Sequence, residues 1–165
     1  PSTAFRPPAI GTRFHYDNGG TVTVESVDAQ TLRLVNAQGR RFNFVSCCWD
    51  GDFLQLQGQY PFKELWPLKV GNRIQFTVAG YLASETWVHT LKVLRQERVR
   101  VPAGEFDTFV IELEKRGVAQ NTHRSTQTYW FAPELGFPVR LEVSLLSGTT
   151  GARSWQLARI ERPNR

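Results

Sequence analysis

Residues 128–143 read TYWFAPELGFPVRLEV. The second half alternates: Phe137, Val139, Leu141, Val143 and Leu145 share one parity, and Arg140, Glu142 and Ser144 take the other. Successive side chains on a strand point to opposite faces, so this is the pattern of a half-buried strand. Ala132-Pro133-Glu134-Leu135-Gly136 interrupts the chain before it, and Pro133 and Gly136 are turn residues. The preceding STQTYWF (125–131) is then the antiparallel partner. Its Tyr129, Trp130 and Phe131 cannot all point inward, because neighbours alternate. With Tyr129 and Phe131 in a core, Trp130 lies on the opposite face and needs cover from another element or a partner.

The same period of two extends upstream. A long strand over about 85–101 has Trp87, Leu91, Val93, Val99 and Val101 on one parity. Arg98 and Arg100 fall on the other, with Val88 and Leu94 as exceptions. In VPAGEF (101–106), Pro102 suits the first central turn position and Gly104 the left-handed residue of a bulge. The return strand over about 105–115 faces Phe109, Ile111 and Leu113 inward; Phe106 is out of phase, which predicts a bulge near Asp107 and Thr108. RGVAQNTHR (116–124) is a polar loop, Ser147–Gly151 the last turn and ARSWQLARIE (152–161) the last strand.

Nearer the start, TRFHYD (12–17) and TVTVESV (21–27) flank Asn18-Gly19-Gly20. Asn-Gly predicts a type I′ hairpin turn, with positive φ at both central residues. TLRLVN and RRFNFV form a second pair around Ala37-Gln38-Gly39, where Gly39 can take a left-handed conformation. SCCWDGD (46–52) reads as a turn before a short strand, FLQLQG (53–58). YPFKELWPLKVG (60–71) holds two prolines, which leave room for one helical turn around Phe62–Leu65; its apolar residues are expected over an open end of the sheet. Gly71–Phe76 echoes Gly11–Tyr16, as a duplication or as two strands entered from similar glycine turns. No segment carries an apolar 3.6-residue stripe of helical length.

The fold class is therefore all-β: an antiparallel meander in a strongly curved sheet or barrel, with little helix. A single β domain spans 1–165, with an N-terminal hairpin layer over 1–59, a connector over 60–71 and a long-stranded antiparallel sheet over 72–162.

A chain of 165 residues buries enough surface to fold without a staple. Hydrophobic residues at 41% and charged residues at 21% place it among folded domains, and no apolar run approaches the ~18 residues of a membrane-spanning helix. The excess of 20 Lys+Arg over 15 Asp+Glu is scattered, so it reads as a solvated basic surface and not as a nucleic-acid interface. The chain opens Pro1-Ser2-Thr3 and holds no Met, as expected of a processed or trimmed chain; removal of an export signal is one route to that. Cys47 and Cys48 are adjacent, and on a strand they would point to opposite faces. No structural disulfide is read here; one buried thiol and one near the surface is the first reading, and a redox or vicinal-disulfide role is the alternative.

RVPAGEFDTF (100–109) and TYWFAPELG (128–136), preceded by the Pro67–Gly71 connector, resemble a broad family of bacterial exported β-proteins and lipoproteins of unknown function. The resemblance covers about 60–162 and leaves 1–59 outside it. It implies export to the periplasm or an outer membrane, with peripheral membrane association. It also implies a curved antiparallel sheet similar to lipocalin-like or lipoprotein-carrier folds. It brings no catalytic residues.

Chemistry-bearing patterns are few. His15, His89 and His123 have no second His or Cys at ligand spacing, so no metal site is expected. Glu105 and Asp107 form a carboxylate pair beside a turn, but nothing in the sequence places them across a cleft. The kinase-like APE (132–134) stands without a Gly-rich loop or catalytic loop, and there is no dinucleotide fingerprint. Neither an enzyme nor a cofactor is expected. The aromatic residues, 12% of the chain, supply the candidate ligand contacts: Trp66, Trp87, Tyr129, Trp130, Phe131 and Trp155. Three functions fit. One is a scaffold or assembly module of the cell envelope that pairs its sheet surfaces and edges with another envelope protein. A second is a carrier of a lipid or other hydrophobic small molecule in a concave sheet with a basic rim. The third is carbohydrate binding on exposed Trp.

Overall fold

The computed structural model of the protein describes residues 2–45, 47–48, 61–79, 86–151 and 153–164. The strands are β1 (Arg13–Tyr16), β2 (Thr21–Asp28), β3 (Thr31–Asn36), β4 (Arg41–Val45), β5 (Arg73–Ala79), β6 (Thr86–Val101), β7 (Gly104–Gly117), β8 (Arg124–Ala132), β9 (Phe137–Ser147) and β10 (Trp155–Glu161). They form one ten-stranded sheet in the order β4-β3-β2-β1-β10-β9-β8-β7-β6-β5. Every registered neighbour pair is antiparallel. Two meanders, β1–β4 and β5–β10, are thus joined through the β1–β10 pair. Among the described residues the sheet stays open, with β4 and β5 at its edges, so the curved sheet is realised and the closed barrel is not. The short strand expected over 53–58, and the turn before it beyond Cys48, lie outside the described residues.

The curvature is severe. β4 and β9 stand five strands apart, about 24 Å in a flat sheet at ~4.8 Å per strand. Yet the rings of Phe44 and Phe137 are 5.1 Å apart, and Phe14 stacks on Phe137 at 4.1 Å. The N-terminal strands have curled over the far half of the sheet. Their inward residues Val22, Val24, Leu32, Leu34 and Phe44 form a core with Val99, Val110, Trp130, Phe137 and Val139. A second core covers the opposite face of the long strands. There Leu91, Val93, Ile111, Leu113, Tyr129 and Phe131 meet Phe62, Leu65 and Leu68 of the connector.

These two cores explain the aromatic triplet. Alternation holds as expected, with Tyr129 and Phe131 on one face and Trp130 on the other. All three are nevertheless buried, because both faces are covered.

They also overturn two expectations about the β6–β7 hairpin. Residues directly opposite in an antiparallel pair share a face. Val93 stands opposite Ile111, but Val99 stands opposite Phe106, which belongs to the other core. The register shifts between Val93 and Arg95, so the extra residue lies on β6 at Leu94. Val93 and Val99 therefore serve opposite cores despite equal parity. No bulge interrupts β7 at Asp107 and Thr108; Phe106 is out of phase with Phe109 because it faces the other core.

The turns fall where expected, with one change of type. Gly19 has φ +89°, but Asn18 is not left-handed, so the first hairpin is not a type I′ turn. A wider loop closes with the Tyr16 N–H donating to Gly20 O (2.8 Å) and the Gly20 N–H to Asn18 Oδ1 (2.9 Å). The β3–β4 loop is built alike: Asn36 N–H donates to Arg40 O, Asn36 Oδ1 accepts from Gln38 and Arg40, and Gly39 has φ +79°. Gly11 and Gly71, at φ +90° and +96°, end matching turns before β1 and β5, so the sequence echo marks a shared way of entering a strand.

The connector forms the single helical turn expected, a 3₁₀ segment Pro61–Leu65. Its Phe62 and Leu65 cover a face of the sheet and not an open end. Asn72 ties it down by donating to Leu65 O (3.1 Å) and Pro67 O (2.9 Å).

Cys47 and Cys48 are joined in a disulfide, and both are buried, which corrects the expectation of free thiols. They stand in a turn after β4, closed by the Cys48 N–H donating to Val45 O (3.2 Å), so strand alternation does not separate them.

Candidate functional site

Alternate turns of an antiparallel meander lie at the same end of the sheet. The β1–β2 and β3–β4 loops share one end, and the β9–β10 turn joins them because Trp155 at the start of β10 lies close to the end of β1. A cleft of about 360 Å³ opens among these three turns. Its mouth is exposed loop: Asn18, Gly19, Ala37, Gln38, Arg40, Gly151 and Arg153. Its floor is buried and apolar, formed by Val22, Leu34, Phe44, Tyr129 and Leu141. Tyr16 and Trp155 stack at 4.2 Å along one wall. Trp155 packs against both cores, so the cleft lies where the two cores meet.

Among the described residues the lining contains two guanidiniums and no carboxylate. Among the described residues neither the Arg40 nor the Arg153 guanidinium has an ion-pair partner. Other arginines are engaged: Arg41 by Glu25 at 2.9 Å and Arg159 by Glu161 at 2.6 Å. Burial pushes the Tyr16 phenol well above its ordinary range, so it stays a neutral hydroxyl in the wall.

Of the residues expected to contact a ligand, Tyr129 and Trp155 line this cleft. Trp66 and Phe131 meet edge to face at 5.2 Å in the second core, beside Phe5. Trp130 is covered by the first core and by the Arg140 guanidinium, 4.7 Å from its ring centre. Trp87 is half-buried on β6 opposite Gly117, outside the cleft. Sequence reasoning missed Tyr16, Phe42, Phe44, Arg40 and Arg153. The signal was present in the two Asn-and-Gly turns, which a meander must bring to one end.

The other chemical groups are spread through the fold. His15 Nδ1 pairs with Thr21 Oγ1 at 3.1 Å and its Nε2 lies 3.2 Å from Glu161. His123 Nε2 lies 2.8 Å from Ser125 Oγ. His89 is buried; burial, with Lys115 and His123 nearby, lowers its pKa to about 3. Among the described residues no three His, Cys, Asp or Glu side chains converge as metal ligands. Glu105 and Asp107 are bound by Arg100 and Arg98 on an open hairpin face. The Arg100 hydrogen bond, above all, holds the Glu105 carboxyl below its ordinary range.

Fold and cleft together define an open, strongly curled antiparallel sheet with an apolar-floored cleft and a cationic mouth. The chain belongs to the family described as Protein of unknown function (DUF3108), whose sequence model matches residues 10–153. The match takes in the N-terminal hairpins, which corrects the expectation that residues up to 59 lie outside the family. In the structure β1 is hydrogen-bonded between β2 and β10, so the N-terminal strands belong to the same sheet as the rest.

No curated protein matches the chain. Two solved structures are similar. One is an inferred exported protein with a YmcC-like fold from Bacteroides fragilis, at 17% identity and TM-score 0.47, covering 97% of this chain and 100% of that one. The other is an inferred lipoprotein from Parabacteroides distasonis, at 15% identity and TM-score 0.47, covering 98% of this chain and 100% of that one. At this level neither description transfers to this chain.

Proposed function

We propose that this protein is a non-enzymatic binder of a small hydrophobic ligand, working in the cell envelope. The observation that carries the reading is the cleft: about 360 Å³, floored by buried apolar side chains and walled by a stacked Tyr16–Trp155 pair. That size and lining fit an ordinary small-molecule pocket. The Cys47–Cys48 disulfide supports an oxidising compartment such as the periplasm. Among the described residues the tryptophans Trp66, Trp87, Trp130 and Trp155 are all at least partly buried, which favours the hydrophobic-ligand reading over carbohydrate binding on exposed Trp. A scaffold role retains support from β4 and β5, the two edges of the sheet among the described residues, which a partner strand could extend. Trp130 has no part in it, being buried.

Titration of delipidated protein with a fluorescent fatty acid tests the proposal. Saturable uptake with one site per chain is expected. Uptake that never saturates, or none, sinks the binder reading and leaves the scaffold.

A further inference from the structure

We infer that the ligand of this cleft is a single-chain amphiphile with one anionic head, bound with the head at Arg40 and Arg153 and the chain along Tyr16 and Trp155. The inference rests on the hydrophobic-ligand reading above and adds the charge, size and orientation of the ligand.

Charge comes from the lining. Arg40 and Arg153 face the same opening, and among the described residues no carboxylate lines it and neither arginine is neutralised. Arg41, by contrast, is engaged by Glu25, and Arg98 by Glu105 and Asp107. A guanidinium fork suits the oxygens of a carboxylate, sulfate or phosphate, and a cationic head would meet only like charge. Such a head can pair as an ion with both guanidiniums, while a neutral oxygen can only accept a hydrogen bond from them.

Orientation comes from burial. Both arginines are exposed at the mouth, and Tyr129, Leu34 and Leu141 are buried at the far end. The head therefore stays hydrated and the chain enters. Size comes from volume. At ~30 Å³ for a liquid water, 360 Å³ holds roughly a dozen heavy atoms. Decanoate has about that many, whereas a two-chain lipid is several times larger.

Calorimetric titration with decanoate, decanol and decylammonium, all below micelle formation, tests this. Three proteins are compared: wild type, Arg40→Gln/Arg153→Gln, and Arg73→Gln/Arg116→Gln. The last removes the same net charge from exposed residues on β5 and β7, outside the cleft. Wild type is expected to bind decanoate about five- to tenfold more tightly than decanol, with decylammonium weakest. Arg40→Gln/Arg153→Gln should lose that preference, and Arg73→Gln/Arg116→Gln should keep it. Should the double variant not fold, Arg153→Gln alone, in an exposed turn, carries the same prediction in smaller size.

Equal affinities in wild type overturn the anionic head while the hydrophobic cleft stands. So does a preference that survives Arg40→Gln/Arg153→Gln, or one that Arg73→Gln/Arg116→Gln abolishes equally. If no decyl compound binds saturably, the cleft reading falls and this inference with it.

Discussion

His89 sits opposite Lys115 in the β6–β7 ladder, buried near His123. A proton on it would have to be placed in low dielectric beside a cation, which is why its pKa falls to about 3. The unfolded chain takes that proton below its ordinary pKa of about 6.5 while the folded chain refuses it. Stability is therefore lost as pH falls from about 6.5 towards 3, at up to ~1.4 kcal/mol per pH unit. Urea unfolding between pH 7 and 5, above the main carboxylate range, should show the slope in wild type and a shallower one in His89→Gln. An identical slope in the two proteins would contradict this account of the site. Little of it was visible in the sequence, where His89 is one histidine on a long strand. Its partners lie in other segments and arrive only through strand register. Trp130 is the opposite case. Its separation from Tyr129 and Phe131 followed from alternation alone, but the identity of its cover did not.

Elements were legible where period and turn chemistry were local. The β1–β4 meander, the β8–β9 hairpin and the turn at Pro61–Leu65 all stand where the residues put them. The bulge at Leu94 was not, because one extra residue moves the alternation of everything after it while changing no local composition. The strands also differ in how firmly they are held. β6 and β7 pair from Trp87↔Gly117 to Val101↔Gly104, and β7 and β8 from Phe109↔Phe131 to Arg116↔Arg124. β9 and β10 pair only at Trp155↔Leu141 and Gln156↔Arg140. Hydrogen exchange should therefore find the slowest amides in the middle of β6, β7 and β8, with earlier exchange in β4 and at the β9–β10 junction. Uniform protection across all ten strands would show that the two meanders open as one unit.

Curling of the sheet is what makes the cleft. In a flat meander the three turns would stand in a row at one edge. Here Phe44 reaches Phe137, and the turns close around the Tyr16–Trp155 pair. The all-β class and the curvature could be read from long alternating strands. The cleft could not, because it depends on how far the sheet curls. Five of its lining residues, Tyr16, Arg40, Phe42, Phe44 and Arg153, are unremarkable in their own segments. On the reading proposed above, the hydrophobic ligand enters this cleft. Backbone amide chemical shifts followed by NMR during a decanoate titration test it most directly. Saturable shifts are expected to concentrate in residues 16–22, 36–44 and 151–156. Shifts centred on Trp66 and Phe131 or on the β5 edge, or none at saturating decanoate, would contradict it.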